Sequence, residues 1–332
     1  MAHDGAGVRG GLIDLQVNGY AGVDFNDAAL TAGALDHALG AMREDGVAAC
    51  LPTLITASPA ALAARFAALD RAVAASRLGP AMVPGYHLEG PFLSPEPGYA
   101  GCHDPAAMRA PDQALVEGLD APLARPILLL TLAPELPGAR ALIRWAAGRG
   151  KLAALGHTAA TAAEIAAAVA AGARLSTHLG NALRREQPKF DNPMMAQLAE
   201  DGLTASFIAD GRHIPPAALK VLLRAKGQGR SVLVSDATAA AAAPPGRYRL
   251  GDLAIEAGAD GVVRLPGTDR LAGSSLRLRQ AVANLIAWGL ASETEARAMA
   301  REIPAALLAP VLAAHGMAPW PDDPGSFGSR LP

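Results

Sequence analysis

The chain has little cysteine, little net charge and no long apolar run. Two cysteines in 332 residues, Cys50 and Cys102, make neither a disulfide framework nor a C-x-x-C site. Cys50 lies in an apolar run and reads as a small buried hydrophobe, while Cys102 sits in a loop beside His103. Such cysteine usage fits a reducing cytoplasm. The net charge is −2 and no basic block stands out, so nothing electrostatic points to nucleic acid or a membrane surface as a partner. No apolar run approaches the roughly 18 residues of a bilayer span. Met1-Ala2-His3-Asp4-Gly5 lacks the charged and apolar regions of a signal peptide. What the chain does have is apolar content: 51% of it is hydrophobic, enough for a sizeable core.

Apolar segments that read as strands alternate with helical ones. Strands are expected at 12–18, 47–51, 81–88, 127–132, 151–155, 174–177, 203–208 and 231–235. Helices are expected over 34–44, 59–75, 139–147, 193–200 and 216–225, and Thr161-Ala162-Ala163-Glu164 has the form of a capping box opening another that ends at Gly172. Eight such units imply parallel pairing and suit a (β/α)8 TIM barrel, whose usual size is ~250 residues. A doubly wound sheet competes. The polar residues decide against it, because Gln16, Asn18, Glu89, His157, His178 and Asp236 all fall at or just past the C-terminal ends of strands, the catalytic face of a barrel. Gly5-x-Gly7-x-x-Gly10 has no strand before it and is discarded as a phosphate loop. After Asp236 a two-stranded excursion is expected, 248–255 and 261–265, followed by helices at 276–290 and 293–308. The whole chain, 1–332, reads as one domain with a barrel core over about 11–310 and an irregular tail, 311–332.

Glu89, His157 and His178 end three different strands. Two imidazoles and a carboxylate leave an open coordination position, the catalytic pattern for a divalent metal, zinc above all. Asp236, at the end of the eighth strand, is placed to take and return a proton. Five of the eight histidines (His87, His103, His157, His178, His213) lie at strand ends or in the loops that follow, which argues against each being a lone structural residue. His87 is two residues before Glu89 on the same strand face and reads as its support. Asp210 either orients its neighbours or turns the chain with Gly211. Arg184, Arg185 and Lys189 either grip an anion or form a solvated charge cluster.

These residues lie in segments, GLIDLQVNGYAGVDFND, LPTLIT, HLEGPFLS, LTLAPE, LGHT, THLGNAL, IADGRH, LVSDATAA and LAGSSL, whose order resembles the N-acetylglucosamine-6-phosphate deacetylases of the amidohydrolase superfamily. The resemblance runs from Gly11 to about Leu308. It implies a metal-dependent barrel hydrolase that releases acetate from an N-acetylated, 6-phosphorylated amino sugar. It also implies that Glu89, His157 and His178 bind the metal and that Asp236 is the catalytic aspartate. His103 is expected to contact the substrate near the acetamide, and Asn181 and His213 to contact sugar or phosphate. Gln16 stands where many amidohydrolases carry an HxH pair, so one zinc is expected rather than two; Gln16, too, is counted with the substrate-facing residues.

Four departures qualify the resemblance. The loop from Glu89 to His103 is about two residues longer than the family's usual spacing. Gly180 replaces a usual aromatic residue, which is expected to open the pocket. The segment 184–192 matches poorly just where the family places an arginine that reaches the phosphate of a neighbouring subunit. A homodimer is expected, with Arg184, Arg185 and Lys189 as the phosphate candidates. The family's small β-sandwich is expected to be largely absent. Two alternatives remain open: deacetylation of another N-acetylated hexosamine, its phosphate, or an N-acyl amino acid, and an inactive barrel serving as a binding module.

Overall fold

The eight strands are present in the computed structural model, which describes residues 10–318. They are β1 (Leu12–Val17), β2 (Val47–Ile55), β3 (Tyr86–Glu89), β4 (Ile127–Leu132), β5 (Leu152–Leu155), β6 (Ala173–Ser176), β7 (Thr204–Phe207) and β8 (Ser231–Leu233), ordered as in the chain and paired in parallel. The ring closes past the end of β8. Asp236 N–H donates to the Gln16 carbonyl at 2.9 Å, Asn18 N–H donates to the Ala237 carbonyl at 2.7 Å, and Val17 bridges to Ala237. The strands read as unbroken apolar runs because both faces are covered: β1 and β4 are buried along their whole length.

The helices turn one stripe to this barrel. Ala139–Gly148 buries Leu142, Ile143 and Ala146 while Arg140 and Arg144 face solvent. Ala162–Ala171 buries Ile165, Ala168 and Ala171. Its capping box, with the Thr161 hydroxyl accepting from Glu164 N–H and the Glu164 carboxylate accepting from Thr161 N–H, contributes about 1 kcal/mol at the helix start.

Three expected elements are corrected, and one helix appears where none was expected. The stretch 81–84 does not begin the third strand: Gly79–Met82 is a helical turn, and Pro84 and Gly85 delay the strand to Tyr86. A helix, Gln113–Asp120, occupies part of the long loop after β3; Asp112 caps it, and Val116 and Leu119 face inward. The excursion after Asp236 has three antiparallel strands, Gly246–Leu250, Leu253–Ala257 and Val263–Arg264, because the run 248–255 folds back at Gly251-Asp252. The last expected helix is two, Glu293–Ala300 and Glu302–Ala314, since Pro304 has no N–H to offer the Ala300 carbonyl and the chain breaks at Arg301. Among the described residues no β-sandwich accompanies the barrel; the sheets outside it are this meander and a two-residue pair at Gly19–Tyr20 and Val23–Asp24. The tail expected to be irregular over 311–332 begins instead as the last turn of the Glu302–Ala314 helix; from residue 319 onward it lies outside the described residues, as does His3.

Candidate active site

The floor of the site is a chain of hydrogen bonds across the barrel. Thr53 Oγ1 meets His87 Nδ1 at 3.1 Å, His87 Nε2 meets Thr131 Oγ1 at 2.8 Å, and Thr131 Oγ1 meets Thr177 Oγ1 at 2.8 Å. His87 thus has both ring nitrogens occupied by threonines. Burial pushes its pKa down to about 4, so it is neutral. It supports the strands beneath Glu89 and is not itself a ligand.

Glu89, His157 and His178 converge above this floor, with one ligand atom from each lying within 4.8 Å of the others. Glu89 Oε1 is 2.9 Å from His178 Nε2 and 3.4 Å from His157 Nε2, and the two Nε2 atoms are 3.2 Å apart. All three residues are buried. His157 Nδ1 lies 2.8 Å from the Tyr99 carbonyl. That nitrogen therefore carries the proton, and Nε2 turns its lone pair inward. Burial alone would push Glu89 up, but the His157 and His178 imidazoles set against it hold the carboxyl well below the usual range. Two imidazole nitrogens and a carboxylate oxygen this close fit a divalent cation with a further position open, and nitrogen-rich donors favour zinc over magnesium or calcium.

Asp236 faces this triad. Its Oδ1 accepts from Asn18 Nδ2 at 2.8 Å, and burial together with the Glu89 charge pushes its pKa up to about 6. His157, His178 and Asp236 hold φ values of 52°, 31° and 47°. Left-handed backbone at a non-glycine residue costs on the order of 1–3 kcal/mol, and such strain clusters at functional sites.

A cavity of 580 Å³ opens over these groups, and its lining includes Glu89, His103, His157, His178, His213 and Asp236. His103 Nδ1 lies 2.8 Å from Thr56 Oγ1, and burial, with the His157 ring beside it, lowers its pKa to about 3. His213 Nδ1 is 2.6 Å from Asp210 Oδ2, so Asp210 does orient a neighbour. Asn181 also lines the cavity and donates its amide to the His178 carbonyl at 2.9 Å.

The structure separates the remaining candidates. Arg185 lines the cavity. Arg184 is turned to Glu96, 2.5 Å away, and Lys189 is exposed and outside the lining. Gln16 lies behind the cavity wall, where its Nε2 donates to Glu89 Oε1 at 3.0 Å. Gly180, φ +98°, is also outside the lining; a Cβ there would stand 3.3 Å from Ile214 Cδ1, a tight contact. Cys102 lines the cavity, yet burial raises its thiol to about 12, which keeps it protonated and unreactive. Sequence reasoning missed Arg270, a cavity residue delivered by the meander, and the Tyr99 carbonyl that orients His157. No apolar or charge pattern marks either one. Asn18 was visible as a strand-end amide, but its partner Asp236 is 218 residues away.

No family model matches the chain. It is 37% identical over 278 residues to the human N-acetylglucosamine-6-phosphate deacetylase, an alignment covering 80% of this chain and 65% of that protein, just under two thirds of its length. It is 36% identical over 298 residues to an N-acetylgalactosamine-6-phosphate deacetylase of Escherichia coli O157:H7, covering 89% of this chain and 76% of that one. Among solved structures, N-acetyl-D-glucosamine-6-phosphate deacetylase from Mycobacterium smegmatis, an aspartate-to-alanine mutant in complex with N-acetyl-D-glucosamine-6-phosphate, superposes with a TM-score of 0.81 at 33% identity, over 90% of this chain and 77% of that one.

Proposed function

This chain belongs to the N-acetylglucosamine-6-phosphate deacetylase family of the amidohydrolase superfamily, and we infer that it hydrolyses the acetamide of N-acetylglucosamine 6-phosphate to the amino sugar phosphate and acetate. The observation that carries the reading is the convergence of Glu89, His157 and His178 within 4.8 Å, opposite Asp236 in one cavity. Those three residues would hold one divalent ion, and their nitrogen-rich donor set suits zinc. When bound, it supplies Lewis acidity toward the acetamide carbonyl and toward water. The chain's own groups do the rest. Asp236, with one oxygen fixed by Asn18, keeps the other for a proton: it accepts one from the attacking water and returns it to the departing amine. Neutral His103 borders the acetyl end. Asn181, His213 and Arg185 also line the cavity and would meet the sugar hydroxyls and the phosphate.

The same reading treats the chain as one catalytic domain and as a cytoplasmic homodimer. The free thiols Cys50 and Cys102 support the compartment. Among the described residues no helix is long and apolar enough to cross a membrane. A second reading, N-acetylgalactosamine 6-phosphate as the substrate, is favoured by the broad coverage of the Escherichia coli relative.

The test is acetate release from both phosphorylated sugars and their unphosphorylated forms, with zinc supplied. Release from the gluco 6-phosphate above all others is expected. A preference for unphosphorylated sugars would remove the phosphate from the reading. No release from any N-acetyl hexosamine by zinc-loaded protein would sink it in favour of a binding module.

A further inference from the structure

We propose that Arg270 and Arg184 form a clamp on the loop covering the metal-ligand triad, and that Arg270 is a positioning residue for His103 and His157. The catalytic part of this inference rests on the deacetylase reading above.

The loop from Glu96 to His103 reaches from β3 across the site. Its Tyr99 carbonyl accepts the His157 Nδ1 proton at 2.8 Å, and His103 at its far end sets its ring against that of His157, centroids 4.4 Å apart. At two points the loop touches its neighbours with bare backbone. At Gly101, φ +59°, a Cβ would stand 2.8 Å from His157 Cε1; at Gly98, φ +96°, it would stand 2.9 Å from Arg184 Cα. Only glycine meets both the conformation and the close approach at these two positions. Tyr99, Ala100 and His103 are buried, but at these two glycines the loop has no side chain to anchor it, so its position there depends on groups outside it.

Two long side chains do that from opposite sides. Arg184, in the segment after β6, sets its guanidinium 5.4 Å from the Tyr99 ring centroid and donates to Glu96 Oε2 at 2.5 Å and to the Pro97 carbonyl at 3.3 Å. Arg270 comes from beyond the meander that follows β8 and donates to the Gly101 carbonyl. That bond ties the last-strand side of the barrel mouth to the third-strand loop. Thr56 fixes one nitrogen of the His103 ring, but the backbone that carries the ring is tied through Arg270.

The clamped loop is also a partition. A second cavity of 650 Å³ lies behind it, and Ile55, Cys102, His103, Pro105, Leu250 and Arg270 line both this and the catalytic cavity. A released loop has space to move into. Such movement withdraws the Tyr99 carbonyl from His157 and His103 from the acetyl end together, and a small displacement of positioning groups costs rate steeply.

The experiment pairs hydrogen exchange of the amides at 99–103 with steady-state kinetics for wild type, Arg270→Ala, Arg270→Lys and Arg184→Ala, all at one fixed zinc concentration. Loss of a charge-assisted hydrogen bond predicts about a tenfold rise in exchange and about a tenfold fall in kcat for Arg270→Ala, with KM little changed. Arg270→Lys, which keeps a donor for the Gly101 carbonyl, should recover most of both. Arg184→Ala should loosen the same amides and supplies the comparison if Arg270→Ala does not fold. Wild-type exchange in both alanine variants would overturn the clamp. So would a rise in KM confined to the phosphorylated substrate, because Arg270 would then be meeting the substrate's anion. Exchange is read without substrate, so wild type that releases no acetate sinks the functional reading, while loosened amides in Arg270→Ala still uphold the clamp.

Discussion

Asp14 offers a test of the barrel's electrostatics that is independent of catalysis. It is 1% exposed in β1; its Oδ1 accepts from Gln16 N–H at 3.3 Å and from Ser235 N–H at 3.2 Å, and its Oδ2 has no partner among the described residues. Burial, opposed by the bonds from Ser235 and Gln16, pushes its pKa from 3.8 to about 7. Below 3.8 both folded and unfolded chains carry the proton. Between 3.8 and about 7 the folded chain keeps a proton that the unfolded chain has released, so stability falls as pH rises and the loss is complete above 7. A shift of about three units corresponds to about 4 kcal/mol in full, of which about 3 kcal/mol falls between pH 5 and pH 8. Asp14→Asn is neutral at every pH and keeps an oxygen for both N–H donors. Thermal melts of the two metal-free proteins at pH 5 and pH 8 should show wild type losing about 4 °C more than Asp14→Asn over that interval, taking the usual unfolding entropy per residue. Parallel losses would refute the argument, and equal destabilisation of Asp14→Asn at both pH values would show that the carboxyl acts through its hydrogen bonds and not its charge.

Replacing Asp236 by Asn should lower acetate release roughly 1,000-fold while the protein still binds zinc, since Asp236 transfers protons and lies outside the ligand set; zinc analysis beside the kinetics checks both halves. Arg185→Ala should raise KM for the 6-phosphorylated sugar about tenfold and leave the unphosphorylated sugar unaffected, because Arg185 lines the cavity and, unlike Arg270, is not bound to the Gly101 carbonyl. Thr161→Ala should cost about 1 kcal/mol in denaturant unfolding with kcat unchanged, as it removes a cap on the outer side of the barrel.

The catalytic face was legible because each of its carriers interrupts an apolar strand at the same end. Glu89, His157, His178 and Asp236 could be placed on one rim before any geometry was known, given parallel pairing and eight units. What could not be read is what reaches across the rim. The Tyr99 carbonyl and the Gly101 carbonyl are backbone acceptors that every residue possesses, so no residue type announces them. Arg270 sits in a stretch with no periodicity and takes its meaning from a partner 169 residues earlier. The helix Gln113–Asp120 was legible in principle: Asp112 followed by Leu115, Val116 and Leu119 is a cap and an apolar stripe, passed over because Gly- and Pro-rich sequence precedes it. The surroundings of Gly180 were not legible for a different reason: side-chain direction at a positive-φ position cannot be inferred from sequence, and a Cβ there would meet Ile214.

Metal stoichiometry follows from how β1 uses its two amides. An HxH pair would present two nitrogen lone pairs at this rim, but Gln16 and Asn18 present N–H donors. Gln16 Nε2 donates to Glu89 Oε1 at 3.0 Å and Asn18 Nδ2 donates to Asp236 Oδ1 at 2.8 Å. Amide hydrogens pointed at both carboxylates occupy the directions from which a second cation would have to be bound, and they already offset part of the negative charge that would attract one. The chain should therefore take up about one zinc per chain tightly, with any second ion held at least roughly 100-fold more weakly. Gln16→Ala should weaken retention of the single ion without creating a second site, since it frees Glu89 from its support. Equilibrium dialysis against buffered zinc reads both. Two equivalents bound with matched affinity by the wild type would show that these amides rotate away from the carboxylates, and the one-ion assignment would fall with them.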